Sequence, residues 1–280
     1  MKIAIIGYGF VGQALAYGLN NDVEFFAVDP KNNTCIKDLE NFRPDVISIC
    51  VPTPMSDDGS QDISIVKKVI KEVRELTFSV SIVLKSTILP NHIKEIEGIL
   101  PQVVYNPEFL REKHANEDFI NGNLIVFGGA QKETKYISEI YRNHTKCINN
   151  EYVFTDLISA SLIKFSINSF LSTKVIFFNQ LFNVFNKSGT NESWKNFINA
   201  LSKDKRIGSS HMQVPGHDGR FGFGGACLPK DSNAFFNYSL TLDAPLGLLF
   251  EAIKSNNKIR GDYESNTSRE LDQNIKFSKD

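Results

Sequence analysis

The chain has 280 residues, of which 41% are hydrophobic, and this is enough for about two domains with cores of their own. Its 31 basic and 32 acidic residues leave a formal net charge of -1, so the composition offers no electrostatic field for a nucleic acid or an anionic membrane. The sequence shows neither a charged leader with a cleavage site nor an apolar run of the ~20 residues that cross a membrane, so we expect a cytoplasmic protein.

The chain opens with a strand, turn and helix pattern that is typical of dinucleotide-binding sites. An apolar run at 3–6 predicts a strand, and a helix is predicted over 13–19. Glycines in the turn between them permit a tight bend, a close approach to a pyrophosphate and close packing of helix on strand, with the helix N-terminus facing the phosphates. The predicted cofactor-binding turn consists of Gly7, Tyr8, Gly9, Phe10, Val11 and Gly12.

A second predicted strand, over 23–28, ends at Asp29, where the dinucleotide fingerprint expects an acidic residue that binds the ribose 2′-hydroxyl. The alternative is that Asp29 only forms a turn before Pro30. Because a carboxylate at this position repels a 2′-phosphate, we expect the cofactor to be NAD rather than NADP.

Strands and helices then alternate, which predicts a parallel sheet and a Rossmann-type domain over 1–150. Thr53, Thr87 and Glu108 each follow a predicted strand, and ligands of such sheets gather beyond the carboxyl ends of the strands. The alternatives are that both threonines cap helices and that Glu108 is a solvated loop charge. Strands are predicted over 45–51, 81–84, 103–105 and 124–127, and helices over 63–76 and 134–142.

The second half of the chain is predicted to be a helical domain over 151–260. From 156 to 186 the chain lacks Gly and Pro and is dense in apolar residues, which predicts one long, largely buried helix. Lys164 and Asn168 share a face of this helix, although a snorkelling lysine beside a solvated amide is the alternative. Further helices are predicted over 194–201 and 244–258, and 261–280 is polar enough to be a disordered tail.

Cys227 stands out among the cysteines because a run of glycines precedes it and Lys230 and Asp231 follow it. Glycines let a ligand approach the backbone, and a neighbouring cation favours the nucleophilic thiolate. The alternative is a buried structural cysteine in a glycine-rich turn. The four cysteines lack paired spacing and predict neither a disulfide framework nor a metal site; they are Cys35, Cys50, Cys147 and Cys227.

These motifs, taken together, resemble the UDP-glucose/GDP-mannose dehydrogenase family from Met1 to about Lys258. The resemblance implies two successive NAD-dependent oxidations of a sugar C6 hydroxyl, to the aldehyde and then to the acid. Within the family, the chain most resembles the members that turn UDP-glucose into UDP-glucuronate. GDP-mannose or a UDP-N-acetyl sugar is the alternative substrate. Besides the N-terminal turn, the matched motifs are Val51–Pro54, Lys85–Thr87, Asn106–Glu112, the Lys164 and Asn168 pair, Arg206–Gly208 and Phe223–Asp231.

The resemblance also implies catalytic roles. The thiol of Cys227 is expected to add to the bound aldehyde, giving a thiohemiacetal that is oxidised to a thioester and then hydrolysed. Lys164 and Asn168 are expected to stabilise the oxyanion that develops at C6. Asp231, with Thr87 and a water molecule, is expected to manage the proton of the first oxidation.

The remaining implied roles concern water activation, cofactor and substrate. Glu112 is the implied base for the hydrolytic water, Lys230 is expected near the cofactor, and Arg206 is expected to bind the sugar, in its own or a neighbouring subunit. The cofactor set is the N-terminal turn with Asp29, Thr53, Thr87 and Lys230. The substrate set is Glu108, Phe109, Leu110, Arg111, Glu112, Lys164, Asn168, Arg206, Phe221 and Gly224.

The sequence departs from the family in two ways. Ser161 and Gln180 stand where relatives often have Glu, and the third, nucleotide-binding domain of relatives is expected to be absent here. Family members pair through the long helix, so we expect a homodimer. Two other functions stay open: a two-electron hydroxyacid dehydrogenase, which has no use for Cys227, and a non-catalytic nucleotide-sugar binding protein.

Overall fold

The computed structural model describes residues 1–277, which divide into two compact units. The first unit holds Met1–Thr53 and Asp62–Lys164, and the second holds Pro54–Gln61 together with the chain from Phe165 onward. These units differ from the predicted domains 1–150 and 151–260. The division falls inside the long helix, whose first turns pack on the sheet, and a short loop from the first half of the sequence joins the second unit.

Among residues 1–277, seven strands form one sheet: β1 (Lys2–Ile6), β2 (Glu24–Val28), β3 (Val46–Ile49), β4 (Ser81–Leu84), β5 (Val104–Tyr105), β6 (Ile125–Gly128) and β7 (Tyr152–Thr155). Their order is β2, β1, β3, β4, β5, β6, β7, and neighbours are parallel except for the antiparallel pair of β5 and β6. This confirms the predicted Rossmann-type sheet. Since β2 and β3 flank β1 on opposite sides, the ligand crevice of such a fold lies at the carboxyl ends of β1 and β3.

Apolar side chains cover both faces of the sheet. Along β1, Ile3 and Ile5 belong to one buried apolar cluster, whereas Ala4 and Ile6 belong to another. The clusters separate in this way because successive side chains of a strand point to opposite faces. Full burial of an isoleucine stabilises the fold by ~1.5–3 kcal/mol, so these near-continuous apolar runs account for the central position of the strands.

Six α-helices lie wholly in the first unit within the described residues: α1 (Phe10–Gly18), α2 (Leu39–Phe42), α3 (Ser64–Arg74), α4 (Pro90–Ile99), α5 (Ala115–Asn121) and α6 (Gln131–His144). In α3, Val66, Val69, Ile70 and Val73 are buried, which is the spacing of one helix face. The predictions for 63–76 and 134–142 thus matched α3 and α6, whereas α2, α4 and α5 were not predicted.

The long central helix α7 (Leu157–Lys187) confirms the helix predicted over 156–186. It begins in the first unit, where it carries Lys164, and continues in the second, where it carries Asn168. Within the described residues, no helix has the length and apolar character needed to cross a membrane.

The second unit contains four more helices in the described part of the chain: α8 (Trp194–Leu201), α9 (Leu228–Thr241), α10 (Gly247–Arg260) and α11 (Ser268–Asp272). The prediction for 194–201 matched α8, and that for 244–258 corresponds to α10. α9 was not predicted, although Pro229 in its first turn suits a helix start. Trp194 packs edge-on against Phe182 and Phe185 of α7 and so fixes α8 on the long helix.

The prediction of a disordered tail over 261–280 is wrong for its described part. Residues up to 277 contain α11, which begins with a capping box formed by Thr267 and Glu270. Glu270 is completely buried and Ile275 is 2% exposed. A polar composition misled the prediction because the polar groups of this segment have partners in the second unit. Residues 278–280 of the predicted tail lie outside the described residues.

Candidate active site

The glycine turn after β1 has the geometry that a dinucleotide needs. Gly7 has a φ of +91°, and a Cβ added there would lie 2.8 Å from the carbonyl carbon of Cys50, at the end of β3. A Cβ on Gly12 would overlap the carbonyl oxygen of Gly7. Gly9 is the N-cap of α1 and has open space around it. The turn therefore presents the N-terminus of α1 at the crevice between β1 and β3, which suits a pyrophosphate.

Asp29 lies at the end of β2 and turns its carboxylate toward this glycine turn. Its Oδ2 accepts a hydrogen bond of 2.8 Å from the backbone N–H of Tyr8, and its Oδ1 accepts one of 2.9 Å from Lys31. Asp29 thus also forms the turn that was the alternative reading, capping a short 3₁₀ helix at Pro30–Asn32. A carboxylate at the end of the neighbouring strand, next to the turn, fits a ribose hydroxyl, so these residues suit NAD.

Two buried threonines meet beside the same edge of the sheet. The hydroxyl of Thr53 donates a hydrogen bond of 3.1 Å to the carbonyl of Thr87, and both residues are less than a tenth exposed. Neither threonine is the N-cap of a helix, so the capping alternative does not hold. The structure therefore brings together two residues that follow different strands, as the predicted cofactor set requires.

Glu108 and Lys164 form a buried ion pair in the first unit. The Nζ of Lys164 lies 3.2 Å from Oε1 of Glu108, and both side chains are at most 6% exposed. The other carboxylate oxygen of Glu108 accepts a hydrogen bond of 2.6 Å from Leu110, while Nζ of Lys164 lies 5.5 Å from the ring centre of Phe109. Lys164 is therefore buried and paired with Glu108 rather than extended toward solvent, and Glu108 is not a solvated loop charge.

A second buried lysine fixes the backbone just before Glu108. Nζ of Lys85 donates a hydrogen bond of 2.6 Å to Oδ1 of Asn106 and one of 3.0 Å to the hydroxyl of Tyr141. Asn106 in turn donates to the carbonyl of Val126, so it joins β4, β5 and β6. Burial lowers the pKa of Lys85. This network holds the end of β5 and thereby the start of the segment that carries Glu108.

Arg111 and Glu112, by contrast, lie at the surface. Arg111 makes a bidentate ion pair with Asp118, whose shorter distance is 2.7 Å, and its hydrogen bond and charge lower the pKa of Asp118 despite the opposing effect of burial. Glu112 begins a short 3₁₀ helix at Glu112–His114 and is exposed. These two residues are thus open to solvent, whereas Glu108 and Lys164 are buried.

Cys227 lies in the second unit at the N-terminus of α9, a helix of 14 residues. Its carbonyl accepts a hydrogen bond of 3.0 Å from the backbone N–H of Asp231, and its side chain is half-buried. A helix N-terminus favours the thiolate form of a cysteine. In the first unit, burial raises the pKa of Cys50 to about 12 and also raises that of Cys147.

Asp231 is the centre of a buried cluster in the second unit. Its Oδ2 accepts a hydrogen bond of 2.6 Å from the amide of Asn168, and its Oδ1 lies 2.6 Å from Nζ of Lys230. Asn168, Lys230 and Asp231 are all less than a tenth exposed. The cluster thus combines a carboxylate, an amide and a cation one helical turn from Cys227, and Asn168 is not a solvated amide.

The three other predicted substrate residues lie in loops of the second unit. Arg206 is exposed and paired with Asp204 at 2.6 Å, on a loop that Lys174 of α7 holds through the carbonyl of Ile207. Phe221 is about a third exposed, and its backbone N–H donates to the hydroxyl of Tyr263. Gly224, the third of these residues, packs against two charged side chains that the sequence did not single out.

Those two residues are Arg260 and Glu270, which sequence reasoning missed. A Cβ on Gly224 would overlap Oε1 of Glu270 and would lie 2.6 Å from Cζ of Arg260. The sequence carried one usable signal, because a threonine at 267 followed by a glutamate three residues later is the pattern of a capping box. For the buried Arg260 no local pattern gave a signal.

Comparison with known proteins assigns the chain to a family. Residues 37–145 match the family model described as UDP-glucose/GDP-mannose dehydrogenase family, NAD binding domain, and residues 158–258 match the model for the central domain of that family. The chain belongs to the UDP-glucose/GDP-mannose dehydrogenase family. The predicted family and the expectation of NAD as its cofactor are thereby confirmed.

Individual relatives agree with this family. The UDP-glucose 6-dehydrogenase of Rickettsia bellii (strain RML369-C) is 38% identical over 195 residues, which cover 67% of this chain and 43% of that protein. The chain spans about half the length of the curated family relatives it matches.

Solved structures show the fold. A UDP-glucose dehydrogenase from Pyrobaculum islandicum superposes with a TM-score of 0.74 at 24% identity, over 91% of this chain and 67% of that one. The 3-hydroxyisobutyrate dehydrogenase of Mycobacterium tuberculosis superposes with a TM-score of 0.71 at 16% identity, over 99% of this chain and 96% of that one. At these identities the two structural likenesses show the fold alone and do not identify the reaction.

Proposed function

We propose that this protein oxidises the C6 hydroxyl of UDP-glucose to the carboxylate of UDP-glucuronate, in two NAD-dependent steps that pass through a covalent adduct on Cys227. The observation that carries the proposal is the position of Cys227 at the N-terminus of α9, one turn before Asp231, which Asn168 and Lys230 hold. A hydroxyacid dehydrogenase or a mere binding protein would have no use for a nucleophile in this position.

In the first step, the hydroxyl at C6 loses its proton while a hydride leaves the same carbon. Asp231, acting through a water molecule, is proposed to take the proton. Its hydrogen bond with Asn168 and its ion pair with Lys230 hold its carboxylate in one orientation, which supports a role as acceptor. Bound NAD supplies the acceptor for the hydride in each of the two oxidations.

In the second step, the thiolate of Cys227 is proposed to add to the C6 aldehyde, forming the C–S bond of a thiohemiacetal. Loss of a second hydride and of the hydroxyl proton gives a thioester. Water, with Glu112 as the proposed base, then cleaves the C–S bond and releases the acid and the thiol. The covalent adduct explains why no free aldehyde is expected between the two oxidations.

Lys164 and Asn168 are proposed to stabilise the negative charge that develops on the C6 oxygen. Both are polar groups on α7 that the fold keeps buried and oriented, Lys164 by Glu108 and Asn168 by Asp231. Donors that are fixed before the reaction lose no energy in reorienting, which is the condition for electrostatic stabilisation of an oxyanion. Arg206 and the loop at Phe221 and Gly224 are proposed to contact the sugar nucleotide, and Lys230 the cofactor.

The test of this proposal is to incubate the pure protein with NAD and a panel of nucleotide sugars and to follow NADH. UDP-glucose is expected to give two NADH per sugar with no free aldehyde. GDP-mannose and UDP-N-acetyl sugars are the competing substrates, and 3-hydroxy acids test the two-electron alternative. One NADH per sugar would contradict the thiol mechanism, and no turnover with any of them would favour a binding protein.

Cofactor choice gives a prediction about Asp29. We expect wild-type protein to prefer NAD strongly over NADP, and Asp29→Ser to relax this preference, because the carboxylate accepts from the ribose hydroxyl and repels a 2′-phosphate. The measurement is kcat/KM with each cofactor. Asp58→Ser is the matched control, since Asp58 is an exposed carboxylate outside the first unit. Equal use of NADP by the wild type would show that Asp29 serves only the turn.

The long helix supports the proposal of a homodimer. Phe170, Phe177 and Val184 of α7 are each more than half exposed and recur every seven residues, so they form one apolar stripe. We expect a dimer in sedimentation experiments and a monomer for Phe177→Lys. Asn186→Lys places the same charge on the opposite side of the helix and is expected to leave the dimer intact. A wild-type monomer with full activity would exclude the dimer as part of the site.

A further inference from the structure

The glycine loop that leads to Cys227 rests on two buried charged side chains. Arg260 of α10 is 3% exposed and Glu270 of α11 is completely buried. Nη2 of Arg260 donates a hydrogen bond of 3.1 Å to the carbonyl of Gly222, and Oε1 of Glu270 accepts one of 3.2 Å from the backbone N–H of Gly225. Both ends of the loop are therefore held by buried side chains, and the contact of Glu270 with Gly225 lies two residues before Cys227.

The loop fits these two side chains closely. Gly222 and Gly225 have φ angles of +75° and +80°, which favour glycine, and Gly224 has no room for a Cβ because Glu270 and Arg260 fill that space. The glycines of this motif thus do more than leave space for a ligand. They also let the backbone of the loop approach the carboxylate of Glu270 closely.

Glu270 contacts the loop more closely than it contacts Arg260. The guanidinium of Arg260 already pairs with Asp218 at 2.7 Å, whereas its distance to Glu270 is 3.7 Å. The nearest partners of the Glu270 carboxylate are backbone N–H groups, that of Thr267 at 2.7 Å and that of Gly225. A buried carboxylate is costly unless its oxygens are satisfied, and here one oxygen caps α11 while the other anchors the loop.

The segment that carries Glu270 is itself tied down within the second unit. The backbone N–H of Met55 donates to the carbonyl of Gln273, and the amide of Asn274 donates to the carbonyl of Met55. Lys276 pairs with Asp57 at 2.7 Å. These contacts fix the segment that carries Glu270, so Glu270 can in turn fix the position of the loop at Gly225.

We propose that Glu270 is a positioning residue for Cys227: its carboxylate fixes the loop at Gly225 and so sets the position of the thiol at the N-terminus of α9. The proposal deepens the proposed function, since it concerns the thiol that would attack the aldehyde. A thiol that is misplaced by about 1 Å reacts poorly with a bound substrate even when it remains reactive toward small molecules.

The test uses Glu270→Ala and Glu270→Gln in the full chain, with Glu264→Ala as matched control. Glu264 is an exposed glutamate of the same segment. Amide hydrogen exchange of the peptide that contains Gly225, and alkylation of Cys227 by iodoacetamide, are measured without substrate. The alkylation of exposed Cys35 serves as internal reference, and fluorescence of Trp194 reports whether the second unit is folded.

In Glu270→Ala we expect the amides of the loop peptide to exchange about tenfold faster than in the wild type. We also expect the alkylation rate of Cys227, divided by that of Cys35, to rise severalfold over the wild type, while the fluorescence of Trp194 stays native. The kcat for NADH formation is expected to fall about 100-fold. Glu270→Gln, which keeps one acceptor oxygen, is expected to lie between wild type and Ala, and Glu264→Ala to match the wild type. If Glu270→Ala fails to fold, Glu270→Gln decides.

Unchanged exchange and alkylation in a folded variant would overturn the proposal. Loss of the native Trp194 signal in both variants would show that Glu270 only stabilises the fold, and this would overturn it as well. Because exchange and alkylation need no substrate, a failure of the proposed oxidation would leave these two results intact, so the two failures can be told apart.

Discussion

Replacing Cys227 by serine is expected to reduce the formation of NADH from UDP-glucose by several orders of magnitude, while affinity for NAD stays the same. A serine hydroxyl at the N-terminus of α9 is far less ionised than a thiol and cannot form the thioester through which the acid is released. NAD affinity is expected to survive because Cys227 belongs to the second unit, whereas the glycine turn and Asp29 belong to the first. Single-turnover measurement of NADH and direct titration of NAD check the two halves.

The matched control is Cys35→Ser, which removes an exposed thiol of the first unit and is expected to leave the rate unchanged. An equal loss of NAD affinity in Cys227→Ser would mean that the cysteine is structural. A variant that still gives two NADH per sugar would exclude the covalent mechanism.

The second large effect is expected for Lys164→Met, with a fall in kcat of about 10²–10³, the range seen when one oxyanion donor is removed. The substitution keeps the apolar stem but removes the cation that pairs with Glu108. Since the charge on the C6 oxygen develops in the transition state, KM for UDP-glucose is expected to change much less than kcat. Steady-state kinetics with UDP-glucose check this split.

Lys187→Met is the control, because it changes an exposed lysine in the last turn of the same helix. Glu108→Gln separates pairing from catalysis: it leaves the cation but weakens its support, so a smaller loss of kcat is expected. A rise in KM alone in Lys164→Met would assign Lys164 to binding and would refute its role toward the oxyanion.

The parts of the fold that were predictable have local signals. The glycine turn, the apolar run of β1 and Asp29 lie within one short stretch, and their spacing alone indicates a dinucleotide site. Lys164 and Glu108 were each predicted as site residues, but their pairing joins positions 56 apart and no local pattern announces it.

The helix α9 was missed for a different reason. Its sequence after Pro229 includes Asn, Ser, Phe and Thr, which have modest helix propensity, so packing of the buried Asp231 and Ser232 decides its structure. The missed helix matters, since it is the element that places Cys227 at a helix N-terminus. In the same way, the tail was misjudged because burial of Glu270 depends on Gly225 and on the loop at 54–61.

The hydrogen bond between Asn274 and Met55 has a consequence for folding during synthesis, because it joins residues 219 positions apart. During synthesis, the loop at 54–61 leaves the ribosome well before its partners at 273–276 and has to wait for them. The sheet of the first unit can form from nearer neighbours in the meantime. The loop of Cys227 is thus supported by a segment that is synthesised after it, so the position of the thiol is set only once Glu270 and its neighbours have been made.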